Sequence, residues 1–187
     1  MQALIGDADS ELPQVMRVLL GDTVREIREL EARVRTAERS LEALADECPV
    51  ATRLQTIPGV GLLTATALVA FVGDAHRFRS GRHFASYLGL TPRESSSGLR
   101  RSLGRISKRG DPYLRMLLIH GARSALCHAK KKPPSEHDRL RAWALDRERQ
   151  CGHNKAAVAL ANKLARIVWA VWRNDRPFVA SERAEAR

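Results

Sequence analysis

Between Met16 and Leu44 a seam of mostly apolar positions runs Met16, Leu20, Thr23, Ile27, Leu30, Val34, Ala37, Leu41, Leu44, in alternating steps of four and three. A seam held over about four heptads predicts one long helix that pairs as a coiled coil. The intervening face carries Arg25, Glu26, Arg28, Glu29, Arg33, Arg35 and Glu38. So many charges favour a stalk joined to a second copy of the chain over a helix lying on the chain's own core. Pro13 fits a first turn, and Cys48-Pro49 ends the pattern.

The following segments also read as helices. Ile57-Pro-Gly59-Val-Gly61 forms a two-glycine turn before the apolar run Leu62 to Val72, and Ser80 and Gly89 bracket a short helix as N-cap and stop. Gly110-Asp111-Pro112 is a strong helix start, after which Leu114, Leu117, Leu118, Ala122 and Ala125 share a face. Lys130-Lys-Lys-Pro-Pro-Ser135 reads as an exposed linker. Helices are then expected around 139–149 and 154–172, the second with Ala157, Ala161, Leu164, Ala165, Val168 and Trp172 on one stripe. No segment alternates as a strand should. The expected fold class is all-α: a coiled-coil stalk over 1–48, a compact helical domain with a helix-hairpin-helix-like element over 49–177, and a flexible tail over 178–187.

Charge changes the picture from architecture to partners. Among 187 residues, 32 Lys and Arg stand against 21 Asp and Glu, a formal net charge of +11. That balance points to nucleic acid. The chain has no apolar run of transmembrane length, and its start lacks the basic and apolar regions of a signal peptide, so a cytoplasmic location without membrane contact is expected. Cys48, Cys127 and Cys151 are an odd set without C-x-x-C spacing, which indicates neither a disulfide framework nor a zinc site. No metal ligands are assigned.

Candidate chemistry concentrates where Ser95, Ser96 and Ser97 precede Gly98, with Arg93, Arg100, Arg101, Arg105, Lys108 and Arg109 around them. Arginine forks match phosphate oxygens two at a time, so a hydroxyl nucleophile and a phosphate clamp could share this turn. A solvated basic loop is the plainer alternative. His83 is near enough in sequence to be considered as a base, although a lone histidine on a short helix is more often structural. Gly59 and Gly61 could aim backbone N–H groups at a phosphate, or could serve packing alone. Trp143, Trp169 and Trp172 read as core residues, with base stacking as the alternative.

Taken together, Ile57-Pro-Gly-Val-Gly, Phe78-Arg-Ser, Tyr87-Leu-Gly-Leu-Thr-Pro, Ser97-Gly98, Ile106-Ser-Lys-Arg-Gly-Asp-Pro-Tyr-Leu-Arg115 and the run Asn154 to Arg166 resemble the C-terminal half of a bridge-RNA-guided bacterial insertion-sequence transposase. Members of that family join an N-terminal RuvC-like domain with Asp/Glu metal ligands to a C-terminal serine-bearing domain. The resemblance implies that a serine of the Ser-Gly pair attacks a DNA phosphodiester and forms a phosphoserine link. By position this is Ser97, with Ser96 second. It further implies DNA and a guide RNA as partners, a homodimer through the coiled coil, and a nucleoid-associated location in a bacterium.

The sequence opens almost directly into the stalk and shows no carboxylate cluster suited to Mg²⁺, so Mg²⁺ is expected only with a RuvC-like partner domain and the chain reads as half of a transposase. Two functions remain open: strand transfer through the serine, or a dimeric nucleic-acid-binding module without chemistry.

Overall fold

The heptad seam becomes one helix, α1 (Gln14–Asp46), 33 residues long. The computed structural model describes residues 13–97 and 102–180, and the chain divides into two compact units, 1–44 and 45–187. In the first unit the seam is largely uncovered: Ile27 is 47% exposed, Leu30 48%, Val34 56% and Leu44 61%. Arg25 pairs with Asp22 at 3.0 Å along the same helix. Its polar surface is thus knitted locally while its apolar seam meets water.

Among the described residues of the second unit six α-helices follow: α2 (Pro49–Leu54), α3 (Leu62–Val72), α4 (Gly81–Tyr87), α5 (Pro112–Lys131), α6 (Arg139–Cys151) and α7 (His153–Arg173). Their ends are written in the sequence. Ser80 accepts from the His83 amide, Asp111 from the Leu114 amide at 2.9 Å and Asp138 from the Arg141 amide at 2.7 Å. Each satisfies an amide that the first turn leaves without a helical partner.

Helix α7 is the centre of this unit, packed against α2, α4, α5 and α6. Ala156, Ala157, Ala161 and Ala165 let neighbours approach closely, while Leu160, Leu164, Val168, Val171 and Trp172 fill the space between. Each large apolar side chain buried here contributes about 1.5–3 kcal/mol. Trp172 is core, as expected. Trp143 and Trp169 are partly buried against it, and the Trp169 indole donates to the Phe78 carbonyl oxygen at 3.2 Å. Phe178, assigned to the tail from the sequence, also packs against the core, and its amide donates to Thr56 Oγ1 at 2.8 Å.

The fold is all-α apart from one feature that the hydrophobic pattern did not announce. Strands β1 (Pro92–Glu94) and β2 (Leu103–Ile106) form an antiparallel hairpin, with Pro92 opposite Ile106 and Glu94 opposite Leu103. Every described strand position except Ile106 is exposed. A ribbon wet on both faces has no apolar alternation to betray it.

Candidate nucleic-acid interface

The hairpin holds the serine-bearing turn. At its tip the Ser95 amide donates to the Ser102 carbonyl oxygen at 2.9 Å. The Ser96 hydroxyl donates to Glu94 Oε1 at 2.7 Å and accepts from the Ser102 amide at 3.2 Å. Ser96 is therefore a clamp across the tip. Ser97 follows it, exposed, and its hydroxyl makes no hydrogen bond among the described residues. Gly98, Arg100 and Arg101 lie outside the described residues.

The root of the hairpin is rigid for reasons that explain two of the sequence blocks. Gly89 has φ +70° and Gly110 φ +110°, and a Cβ on either would collide with backbone of the facing segment, Arg109 for Gly89 and Tyr87 for Gly110. Only glycine lets these segments touch. The Lys108 amide donates to the Gly89 carbonyl oxygen at 3.1 Å, and the Ser107 amide to that of Thr91 at 2.8 Å. Two residues that the sequence reading did not single out brace the same place. Arg115 reaches from α5 to the carbonyl oxygens of Leu88 (3.3 Å) and Gly110 (3.4 Å), and Asn162 reaches from α7 to that of Leu90 at 3.0 Å. Both sat inside recognised sequence blocks, yet nothing local distinguished a brace from a surface polar residue.

The cations distribute along this scaffold. Arg93 and Arg105 are exposed on opposite strands, and Lys108 and Arg109 are exposed at the root. Arg93 donates one hydrogen bond to the Ser107 carbonyl oxygen at 3.3 Å, which fixes its stem. Lys108 has φ +56°, an uncommon backbone state for a residue with a side chain. His83 belongs elsewhere: its amide donates to Ser80 Oγ, its ring packs edge-on to Phe78, 5.5 Å between centroids, and among the described residues that ring makes no hydrogen bond to Ser95, Ser96 or Ser97. The base role considered for it finds no geometric support.

Gly59 and Gly61, paired in the sequence reading, have different surroundings. Gly59, with φ +86°, lies against the backbone of Gly121 in α5. Gly61 stands in open space at the start of α3, which no side chain caps. The turn and helices α5 and α6 line a cleft of about 740 Å³ whose polar wall includes His120, Ser124, His128 and Arg141.

Electrostatics elsewhere is structural. Burial opposes ionisation of Glu148, but hydrogen bonds from Lys130 (2.6 Å) and His153 (2.7 Å) outweigh it and hold the carboxyl below its ordinary value. This trio ties the end of α5 to the α6–α7 junction. All three cysteines are free. Among the described residues no three His, Cys, Asp or Glu side chains gather into a metal site. Nor is any described helix long and apolar enough to cross a membrane.

The helical domain thus carries its serines on a basic hairpin. Comparison with known proteins shows what the chain is similar to. Residues 51–138 match the family model described as the transposase IS116/IS110/IS902 family. The chain is 42% identical over 172 residues to a protein described as a probable family 20 transposase of Pseudomonas aeruginosa, covering 91% of this chain and 49% of the relative. It is 41% identical over 168 residues to the transposase for insertion sequence element IS1111A of Coxiella burnetii, covering 90% of this chain and 45% of the relative. A pilin gene-inverting protein of Moraxella lacunata is 34% identical over 131 residues, 68% of this chain and 38% of that protein. The chain thus spans about half the length of these two transposases, and it is similar to proteins of transposition and DNA inversion.

Proposed function

We propose that this chain is the serine-bearing, strand-transferring part of an insertion-sequence transposase, which binds DNA and a guide RNA through the basic hairpin and the Gly59–Gly61 turn. The observation that carries the reading is the division of labour at the hairpin tip. Both serines are exposed, but the Ser96 hydroxyl is engaged on both sides, by Glu94 and by the Ser102 amide, whereas that of Ser97 meets no partner among the described residues. A nucleophile must reach a phosphorus in line, and the two hydrogen bonds across the tip hold Ser96 Oγ in place, whereas nothing among the described residues holds that of Ser97; the Glu94 carboxylate also gives Ser96 a base, so Ser96 stands second.

In this reading Ser97 Oγ attacks a DNA phosphodiester. The new Oγ–P bond forms as the bond from phosphorus to the leaving 3′ or 5′ oxygen breaks, and the serine proton passes to a general base of the assembled complex. Arg93, Arg100, Arg101, Arg105, Lys108 and Arg109 neutralise charge on the phosphate in flight. Mg²⁺ belongs to a RuvC-like domain in this scheme, as the family resemblance implies. The exposed seam of α1 joins two copies.

The test is covalent trapping. With the RuvC-like partner domain, Mg²⁺, guide RNA and end-labelled DNA, wild-type chain should carry label through denaturation, and Ser97→Ala should not, while retaining DNA affinity within about twofold because the interface is dominated by charge. An adduct that persists in both Ser97→Ala and Ser96→Ala would remove this turn from the mechanism. Salt-sensitive binding without any adduct in the wild type would leave the second reading, a dimeric nucleic-acid-binding module without strand transfer.

A further inference from the structure

A second concentration of cations lies between α6 and α7. The Lys163 ammonium sits 4.0 Å above the centre of the Trp143 ring, and the Arg147 guanidinium lies 5.8 Å from the same centre. Lys163 is half-buried, and burial, followed by the charges of Arg166 and Arg139, lowers its pKa from the ordinary lysine value. Arg166 Nε is itself buried and lacks a hydrogen-bond partner.

The surroundings make this arrangement unusual. Two nearby cations have carboxylates: Arg141 on α6 pairs with Asp138 at 3.0 Å, and Lys130 on α5 pairs with Glu148. Those carboxylates are therefore already engaged. Lys163, Arg139, Arg147 and Arg166 form no ion pair among the described residues. Like charges brought together in a partly desolvated place destabilise the fold unless an anion joins them. The Trp143 ring holds the ammonium over its face, which stabilises a cation without neutralising it. What the cluster lacks is a compact group with several acceptor oxygens and negative charge.

The geometry points to a second nucleic-acid contact, in which a backbone phosphate seats among Lys163, Arg139 and Arg166 over Trp143. It rests on the reading that the chain binds nucleic acid, but it is independent of the serine chemistry. With one phosphate bound at the hairpin and another here, a strand would be held at two separated points. The phosphate could come from duplex DNA or from single-stranded RNA, so both are tested.

The experiment is a titration of a labelled 30-base-pair duplex and a labelled 30-nucleotide RNA, over a series of salt concentrations, with wild type, Arg139→Gln/Lys163→Gln, Lys163→Arg and the hairpin variant Arg105→Gln. The double variant should lose affinity on the order of tenfold for the strand that uses the site. Its log–log salt slope for that strand should become shallower by about one. Lys163→Arg should keep most of the affinity, and the double variant should melt at a higher temperature than wild type because the repulsion is gone. A double variant that binds both strands with wild-type affinity and slope overturns the site while leaving the hairpin reading intact. Wild type that binds neither strand removes both.

Discussion

Gly59 and Gly121 meet backbone to backbone, so a Cβ on Gly59 would lie 2.5 Å from the Gly121 carbonyl oxygen and one on Gly121 would collide with that of Gly59. This contact joins the turn before α3 to the middle of α5, and Gly59 additionally needs its positive φ. Gly59→Ala and Gly121→Ala should each destabilise the folded chain by about 2–4 kcal/mol. Gly61→Ala, at a position with open space and φ −90°, should cost less than about 1 kcal/mol. Urea denaturation of the three variants measures all of this. Equal stability of Gly59→Ala and wild type would contradict the packing account.

The same pair shows how far a sequence can be read. The P-G-V-G pattern announced a turn and a helix, but it could not say that Gly59 faces another backbone, because Gly121 is 62 positions away and sits inside a helix where glycine carries no turn signal. Helix starts were legible at Ser80 and Asp111, where the cap is local and flanked by turn residues. The stripe on α7 was legible because alanines and leucines recur at helical spacing. The hairpin was not, since strands of three and four residues exposed on both faces leave no pattern. For the site, the serines and cations were visible as composition, whereas the engagement of Ser96 and the braces from Arg115 and Asn162 depend on residues brought in from across a turn or from another helix.

The exposed seam of α1 predicts association. Ile27, Leu30 and Val34 are each about half exposed on a helix whose other faces are charged. Burying such a seam against a second copy gains roughly 25 cal/mol for each Å² of apolar surface removed from water. Ultracentrifugation at micromolar concentration should give a dimer for wild type and a monomer for Ile27→Asp/Val34→Asp. A monomeric wild type would end the proposal.

Glu148 sets an acid limit on stability. Its carboxyl pKa is held below the ordinary value of 4.5 in the folded chain, so the stabilisation is fully present above that value and is lost as pH falls through the folded value. Glu148→Gln should lower stability by about 1–2 kcal/mol at neutral pH, since Lys130 and His153 lose an ionised acceptor. As pH falls below 4.5 toward the lowered folded value the difference should shrink, because the folded wild-type carboxyl is progressively protonated as well. Melting curves from pH 3 to 7 check the convergence, and a constant gap across that range would show that the charge is not the cause.

The clamp at the hairpin tip yields the prediction that bears most directly on chemistry. Ser96 Oγ donates to Glu94 at 2.7 Å and accepts from the Ser102 amide at 3.2 Å, so it spans the strands one position before Ser97. If Ser97 is the reacting group, the role of Ser96 and Glu94 is to hold the tip in one shape. Positioning losses are graded rather than absolute, because a loosened tip still visits the productive geometry part of the time. Ser96→Ala and Glu94→Ala should therefore slow covalent attachment to DNA by about 10- to 100-fold without abolishing it, whereas Ser97→Ala should leave none. Ser96→Thr keeps the hydroxyl and should recover much of the rate. Duplex affinity should fall little in Ser96→Ala and should rise slightly in Glu94→Ala, which removes a negative charge from a basic surface. Quench-flow detection of the adduct separates these outcomes. Loss of all attachment in Ser96→Ala with full attachment in Ser97→Ala would move the nucleophile by one residue and turn Glu94, already in hydrogen-bond contact with that hydroxyl, from a clamp into its base.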